Sequence, residues 1–489
     1  MSDSVFRIFR AREIITMASP ARAEALATFG DRVVATGAWA DLRDRFAYAE
    51  RVEFDGGVLL PGFNDAHMHP GRAAEYEIHV HLDPAKILSF DMMMSALKER
   101  VAVTPAGKLI RGVRYDHARA SAGRIVDRSD LDNVSRNHPV LVTHFTGHYG
   151  VANTAMLAMA DIDERSTAPA GGEYGRGVDG KLDGRIYGVA LQQLLPRLPE
   201  PTLDERLNGL SGALRDFHAA GITSITDAIV TPSILQLFQE AEARGALSAR
   251  VGLMIWHAYF DHAQKLGLRS GFGSDKLRWT AVKAILDGAM TARTALLEEP
   301  YEGGEDRGKL VMSREELRDI VRRAHDAGNR MAVHANGDQA VSILLAEYRD
   351  AQRATPRPGL RHRVEHASVV NDRVLKEMRE IGAMAVPIMG YIPSHGDKLR
   401  AYFGEKRAER LIACRALLDA GITVGGSSDY GAAPYQPLYN IQGNVQRLDP
   451  TGEALGPTQR ITAEEGLRIY TVGSAEVCGE DAIKGRLTP

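Results

Sequence analysis

The stretch "LLPGFNDAHMHP", residues 59–70, decides the fold. An apolar run ends in two histidines one residue apart, His67 and His69, with Pro61, Gly62 and Asp65 just upstream. In a strand alternate side chains share a face, so both imidazoles would point toward one partner. The pattern alone is weak, because a His-x-His pair on a strand is more often packing than chemistry. The segment "EIHVHLDP" illustrates this: His79 and His81 have the same spacing but no Pro-Gly-Phe lead, and they read as packing or surface residues.

The rest of the chain separates the two pairs. From about residue 200, helical patterns such as "LDERLNGLSGALRDFHAAG" and "SREELRDIVRRAHDAGN" alternate with short apolar strands. The strand candidates are 222–228, 249–257, 281–288, 330–336, 362–368, 383–389 and 422–429. With the strand that ends at His67 the count is eight, which predicts an α/β fold of the (β/α)8 TIM-barrel type over residues 61–475. Residues 1–60 read as a small β unit of short strands, interrupted by one short helical pattern, "SPARAEALATFG". Residues 72–200 break the alternation and read as an insertion after the first barrel strand, a lid or substrate-facing subdomain. Its strand candidates are "KLIRGVRYD" and "HPVLVTHFTGHYGVA", followed by a Gly-rich run. "DMMMSALKE" within it reads as the packed face of a helix.

Composition excludes several classes. A formal charge of −3 over 489 residues gives no basic field for nucleic acid or an anionic membrane. No apolar run approaches the roughly 18 residues of a membrane span, and the N-terminus lacks the pattern of a signal peptide. Cys414 and Cys478 are the only cysteines, so a disulfide framework is excluded and a cytoplasmic location is expected, both thiols packing between helices. A small-molecule substrate is the expected partner.

Barrel enzymes carry their chemistry at the C-terminal ends of the strands. His67 and His69 close the first, Lys283 lies in the fourth, His334 and His366 near the ends of the fifth and sixth, and Asp429 ends the eighth. Neutral imidazoles and a carboxylate suit Zn2+ and similar divalent ions. A lysine desolvated beside cations loses its proton, and the neutral amine can add CO2 to form a carbamate that bridges two ions. His362 shares a strand with His366 but lies roughly 13 Å from it, and reads as packing.

Five motifs in this order, "PGFNDAHMHP", "VKAILDGAM", "VHANGDQAV", "RVEHAS" and "GGSSDYGAAPYQPL", resemble the amidohydrolase superfamily, specifically its YtcJ-like (amidohydrolase 3) branch. The resemblance runs from "VVATG" to "LRIYTVGSAEVCG". By position it implies His67, His69, His334, His366 and Asp429 as metal ligands, with Lys283 as a carboxylated bridge of a binuclear centre. Zn2+ is the expected ion, and Mn2+, Co2+ or Fe2+ would suit the same donors. Asp429, Lys283 and His334 form the implied catalytic set. His148 falls where the family carries a histidine followed by an Asn, and is a candidate substrate contact. Tyr115 and Asp287 are further candidates, Asp287 alternatively pairing with an unmodified Lys283.

The family fold adds a small β-sandwich built from both chain ends. Members continue with a strand of the type G-K-x-A-D-x-V-V-L, whereas this chain stops at "AIKGRLTP". Residues 476–489 are therefore expected to turn back toward the small domain and leave it truncated. A homodimer is a family-level expectation. The implied reaction is hydrolysis of an amide-type C–N bond (amide, N-acyl or N-formyl) by hydroxide held on metal, with Asp429 moving the proton. A carbamate or ester hydrolase, a ring deaminase and a non-catalytic metal-binding relative are open readings of the same ligands.

Overall fold

The computed structural model describes residues 5–82, 87–117, 124–144 and 148–489. The chain divides into two compact units, Met1–Gly71 with Leu214–Pro489, and Arg72–Ala213. The insertion thus runs past the expected residue 200 and ends inside the helix Leu203–Ala219.

The first unit opens with a sheet of four strands, β1 (Phe6–Ile15), β2 (Arg22–Phe29), β3 (Arg32–Gly37) and β4 (Glu50–Leu59), in the order β3-β2-β1-β4. β2 is the segment whose Ala, Glu and Leu content suggested a helix. Ladders to β1 on one side and β3 on the other override that propensity, and Ala25 and Ala27 join Ile8, Ala35 and Leu42 in a small core. Among the described residues this is a single sheet with the helix Trp39–Arg45 packed on it, not a sandwich. Near the C-terminus, Leu487 N–H donates to the carbonyl of Thr16, the residue after β1, at 2.9 Å.

The barrel follows from β5 (Phe63–Met68). After the insertion come β12 (Ile222–Val230), β13 (Arg250–Trp256), β14 (Leu277–Ile285), β15 (Met331–Ala335), β16 (Arg363–His366) and β17 (Met384–Val386), counting β6–β11 within the insertion. All seven barrel strands are parallel, in the order β17-β16-β15-β14-β13-β12-β5. The eighth candidate, 422–429, is not a regular strand, yet it closes the ring. Val424 and Ser427 bridge to Ala385 and Ile388, and on the other side Ala66 N donates to Gly426 O and Asp429 N to His67 O, each at 2.9 Å. Gly426 lies so close to the Tyr470 ring that a Cβ there would stand 2.7 Å from it, and Gly425 would meet Val477 at 2.5 Å. Glycine permits this close packing, and the ladder breaks at the same place.

The barrel strands are near-continuous apolar runs because helices cover their outer faces. The helix Arg314–Asp326 is typical: Ser313 and Glu316 form a capping box, and Leu317, Ile320, Val321 and Ala324 bury one face.

The insertion unit is built on one sheet: β6 (Val80–His81), β7 (Ile110–Tyr115), β8 (Val140–His144), β9 (Tyr149–Ala152), β10 (Gly172–Arg176) and β11 (Leu182–Tyr187), in the order β10-β11-β9-β8-β7-β6. β6, β7 and β8 are parallel and the rest antiparallel. Met93, Met94 and Leu97 of the helix Phe90–Val103 pack into its core, as the sequence pattern implied. No helix among the described residues is long and apolar enough to cross a membrane.

Candidate metal centre

β5 is buried along its whole length, and alternation puts Asp65 and His67 on one face. His67 Nδ1 bonds the carboxylate of Glu365 on β16. Glu365 is gripped in turn by Arg363, with Nε at 2.7 Å and Nη2 at 2.8 Å, and Arg363 Nη2 also donates to Ala66 O. A buried ion pair is a poor source of net stability, so orientation is the better explanation for this one. The carboxylate fixes Nδ1–H on His67 and leaves Nε2 as the ligating nitrogen, 3.7 Å from Asp429 Oδ1. His69 Nε2 lies 3.0 Å from the same oxygen. Asp65 ties β5 to the closing segment, accepting from His67 N and Ser428 N.

Alternation along β16 would send His366 to the face opposite Glu365. His366 and Ala367 instead have φ of 75° and 42°, and Asp429 has 48°. Left-handed backbone at these positions costs about 1–3 kcal/mol each and clusters at working sites. Here it accompanies a convergence: one ligand atom each from His67, His366 and Asp429 lies within 4.8 Å of the others. The His366 ring is 4.8 Å from that of His67 and 4.6 Å from that of His334. His334 Nε2 meets the Gly288 carbonyl at 3.0 Å, which leaves Nδ1 to ligate.

The electrostatics match a divalent cation. Burial and the nearby Lys283 push His67 and His334 down to about 4, so both imidazoles are neutral, the ligating form. Burial would raise Asp429, but His69, His67 and His366 outweigh it and hold the carboxyl well below its usual range. Lys283 is 1% exposed, and its Nζ has no hydrogen-bond partner among the described residues. Burial pushes its pKa down to about 8 against the pull of Glu365 and Asp429. His366 Nδ1 is likewise buried without a partner. Orphaned buried groups of this kind are expensive, and a cation with a carboxylated lysine would satisfy both.

Of the residues singled out from sequence, His67, His69, His334, His366 and Asp429 come together, with Lys283 within electrostatic reach of His67, His334 and Asp429. Two others are held by backbone groups. Tyr115 is fully buried in the insertion core, and its hydroxyl donates to Arg124 O and accepts from Val126 N. Asp287 is also fully buried, and its carboxylate accepts from the backbone amides of Leu296, Asn336 and Gly337, which makes it a loop anchor. His148 is exposed within the insertion unit, its carbonyl accepting from Gly188 N. His362 packs as read, against His325, and His81 bonds the Tyr76 carbonyl. The sequence reading missed Glu365 and Arg363, although Arg-x-Glu ending a buried strand beside a candidate ligand was a signal.

The chain is similar to known amidohydrolases and metal-dependent hydrolases. The model of the amidohydrolase family matches residues 52–489. An N-substituted formamide deformylase from Arthrobacter pascens is 27% identical over 95% of this chain and 88% of its own length. The putative amidohydrolase YtcJ of Bacillus subtilis is 26% identical, covering 95% and 89%. A crystal structure of an uncharacterized metal-dependent hydrolase from Pyrococcus furiosus superposes with a TM-score of 0.80 at 26% identity, over 99% of this chain and 96% of that one.

Proposed function

The chain belongs to the amidohydrolase family and is a hydrolase of carbon–nitrogen bonds; from that premise we propose that it cleaves a small amide-type substrate, an N-substituted formamide foremost. The observation that carries this reading is the buried Lys283 amine with no hydrogen-bond partner among the described residues, set among neutral histidines and an ionised Asp429. His67, His69, His334, His366 and Asp429 would hold two divalent ions, Zn2+ foremost, with a carboxylated Lys283 shared between them. When bound, such ions polarise a carbonyl and lower the pKa of water to about 7.

The chain's own residues supply the rest. Asp429 takes the proton of the attacking water and passes it to the leaving nitrogen as the C–O bond forms and the C–N bond breaks, giving formate and an amine. His69 Nε2 lies 3.0 Å from that carboxylate, so the two would share one ion. Glu365 holds His67 in one tautomer, and Asp287 anchors the loops that carry Leu296 and Asn336 beside His334. His148 is the substrate-contact candidate of the insertion unit.

The test is a panel of N-substituted formamides, longer N-acyl amines, carbamates, esters and ring amines, each with and without chelator. Formamides are expected to turn over fastest, and chelation to abolish the activity. Asp429→Asn should lower kcat by about 10²–10⁴-fold. Turnover that survives full metal removal would sink the metal reading, and an unimpaired, metal-replete Asp429→Asn would sink the proton role.

A further inference from the structure

The insertion unit holds a second cluster of metal-competent side chains that the reaction above does not use. β7 and β8 are adjacent parallel strands, with Tyr115 in register with His144 at their C-terminal ends. Asp116 and His117 follow directly on β7, and His144 ends β8. One ligand atom each from Asp116, His117 and His144 lies within 4.8 Å of the other two. The two imidazole rings are 5.5 Å apart, and the His144 ring stacks on Tyr149 at 4.6 Å. The Tyr149 hydroxyl lies 2.8 Å from His117 Nδ1.

We propose that Asp116, His117 and His144 bind one divalent first-row cation, Zn2+ foremost, in addition to the ions of the barrel. Two imidazoles and a carboxylate are a donor set for Zn2+ and its neighbours. Ligands on a tetrahedral ion at 2.0–2.1 Å stand about 3.4 Å apart, so donor atoms within 4.8 Å of one another need to approach by little more than about 1 Å. The Tyr149 hydroxyl, 2.8 Å from His117 Nδ1, holds that imidazole beside His144. The ends of parallel strands are where α/β folds place ligands. Three ligands from among the described residues suit a four-coordinate ion whose remaining position takes a further donor.

The test counts metal on the full chain after loading with excess Zn2+ and gel filtration. Asp116→Asn and His144→Ala should each hold about one equivalent less than the parent. A barrel variant carrying His366→Ala and Asp429→Asn should retain about one equivalent. Equal metal in the parent and a folded Asp116→Asn chain would overturn the proposal, as would a folded barrel variant that binds none. If instead the barrel variant holds as much metal as the parent, the barrel assignment fails while this one stands. Should a substitution prevent folding, the parent chain decides: Zn2+ beyond the barrel equivalents should shield His117 and His144 from diethyl pyrocarbonate. Modification that saturating Zn2+ leaves unchanged would overturn the proposal.

Discussion

At the barrel mouth His67 is locked by Glu365, Glu365 is gripped by Arg363, and all three side chains are buried. In the insertion His117 meets the neutral Tyr149 hydroxyl, and Asp116 and His117 are half-buried. Glu365 can only accept and so fixes the His67 tautomer, whereas the Tyr149 hydroxyl can donate to or accept from His117 Nδ1. A buried carboxylate also makes its imidazole more electron-rich, and its own partner must then be built into the core. The first design therefore supports tight, permanent binding, and the second supports weaker binding at little cost to the surrounding fold.

The largest expected effect tests that cost. Arg363→Met leaves Glu365 as an uncompensated buried charge and should lower stability by about 3–5 kcal/mol, read from urea unfolding of the metal-free chain. A stability unchanged within error would mean that the ion pair is not integral to the barrel, and the contrast would collapse. Next comes the ligands' support. Glu365→Gln should weaken Zn2+ binding at the barrel by about 10–100-fold, while Tyr149→Phe should weaken the insertion cluster by less than about tenfold. Competition against a calibrated chelator measures both, and the reverse order would invert the comparison.

The smallest effect concerns pH. His362 lies in the barrel core, where burial, then His325 and Arg330, push it down to about 3. The unfolded chain binds that proton near pH 6.5, so stability should fall as pH drops from about 6.5 toward 3, by at most about 1.4 kcal/mol per unit. Unfolding of the metal-free protein between pH 7 and 5 should show a slope of this sign, to which the buried His67 and His334 also contribute. His362→Gln should be shallower than the parent by up to about 1.4 kcal/mol per unit.

The barrel was legible because its strands are apolar runs of the right length between amphipathic helices, and because each mouth residue closes such a run. What escaped was long-range or torsional. β2 has a helical composition, and only its pairing to β1 and β3 makes it a strand. The segment 422–429 closes the ring without a regular ladder because Gly425 and Gly426 pack against Val477 and Tyr470. Glu365 meets His67 across 298 residues of sequence, a pairing that no local pattern encodes. Tyr115 and Asp287 lie next to chemistry in the sequence, but their polar atoms are engaged by backbone groups.

The left-handed backbone at His366 and Asp429 also limits which amino acids could ever replace them. Asn, Asp, His and Gly enter that region readily, whereas β-branched and bulky side chains do so only as outliers. An engineer seeking to tune this centre for a softer or harder ion thus has a narrow alphabet at both corners, nitrogen or short-carboxylate donors and little else. A thiolate or a longer carboxylate at either position would have to overcome the torsion before it reached the ion. Changes of metal preference are better sought at His67, His69 and His334, where φ is not positive.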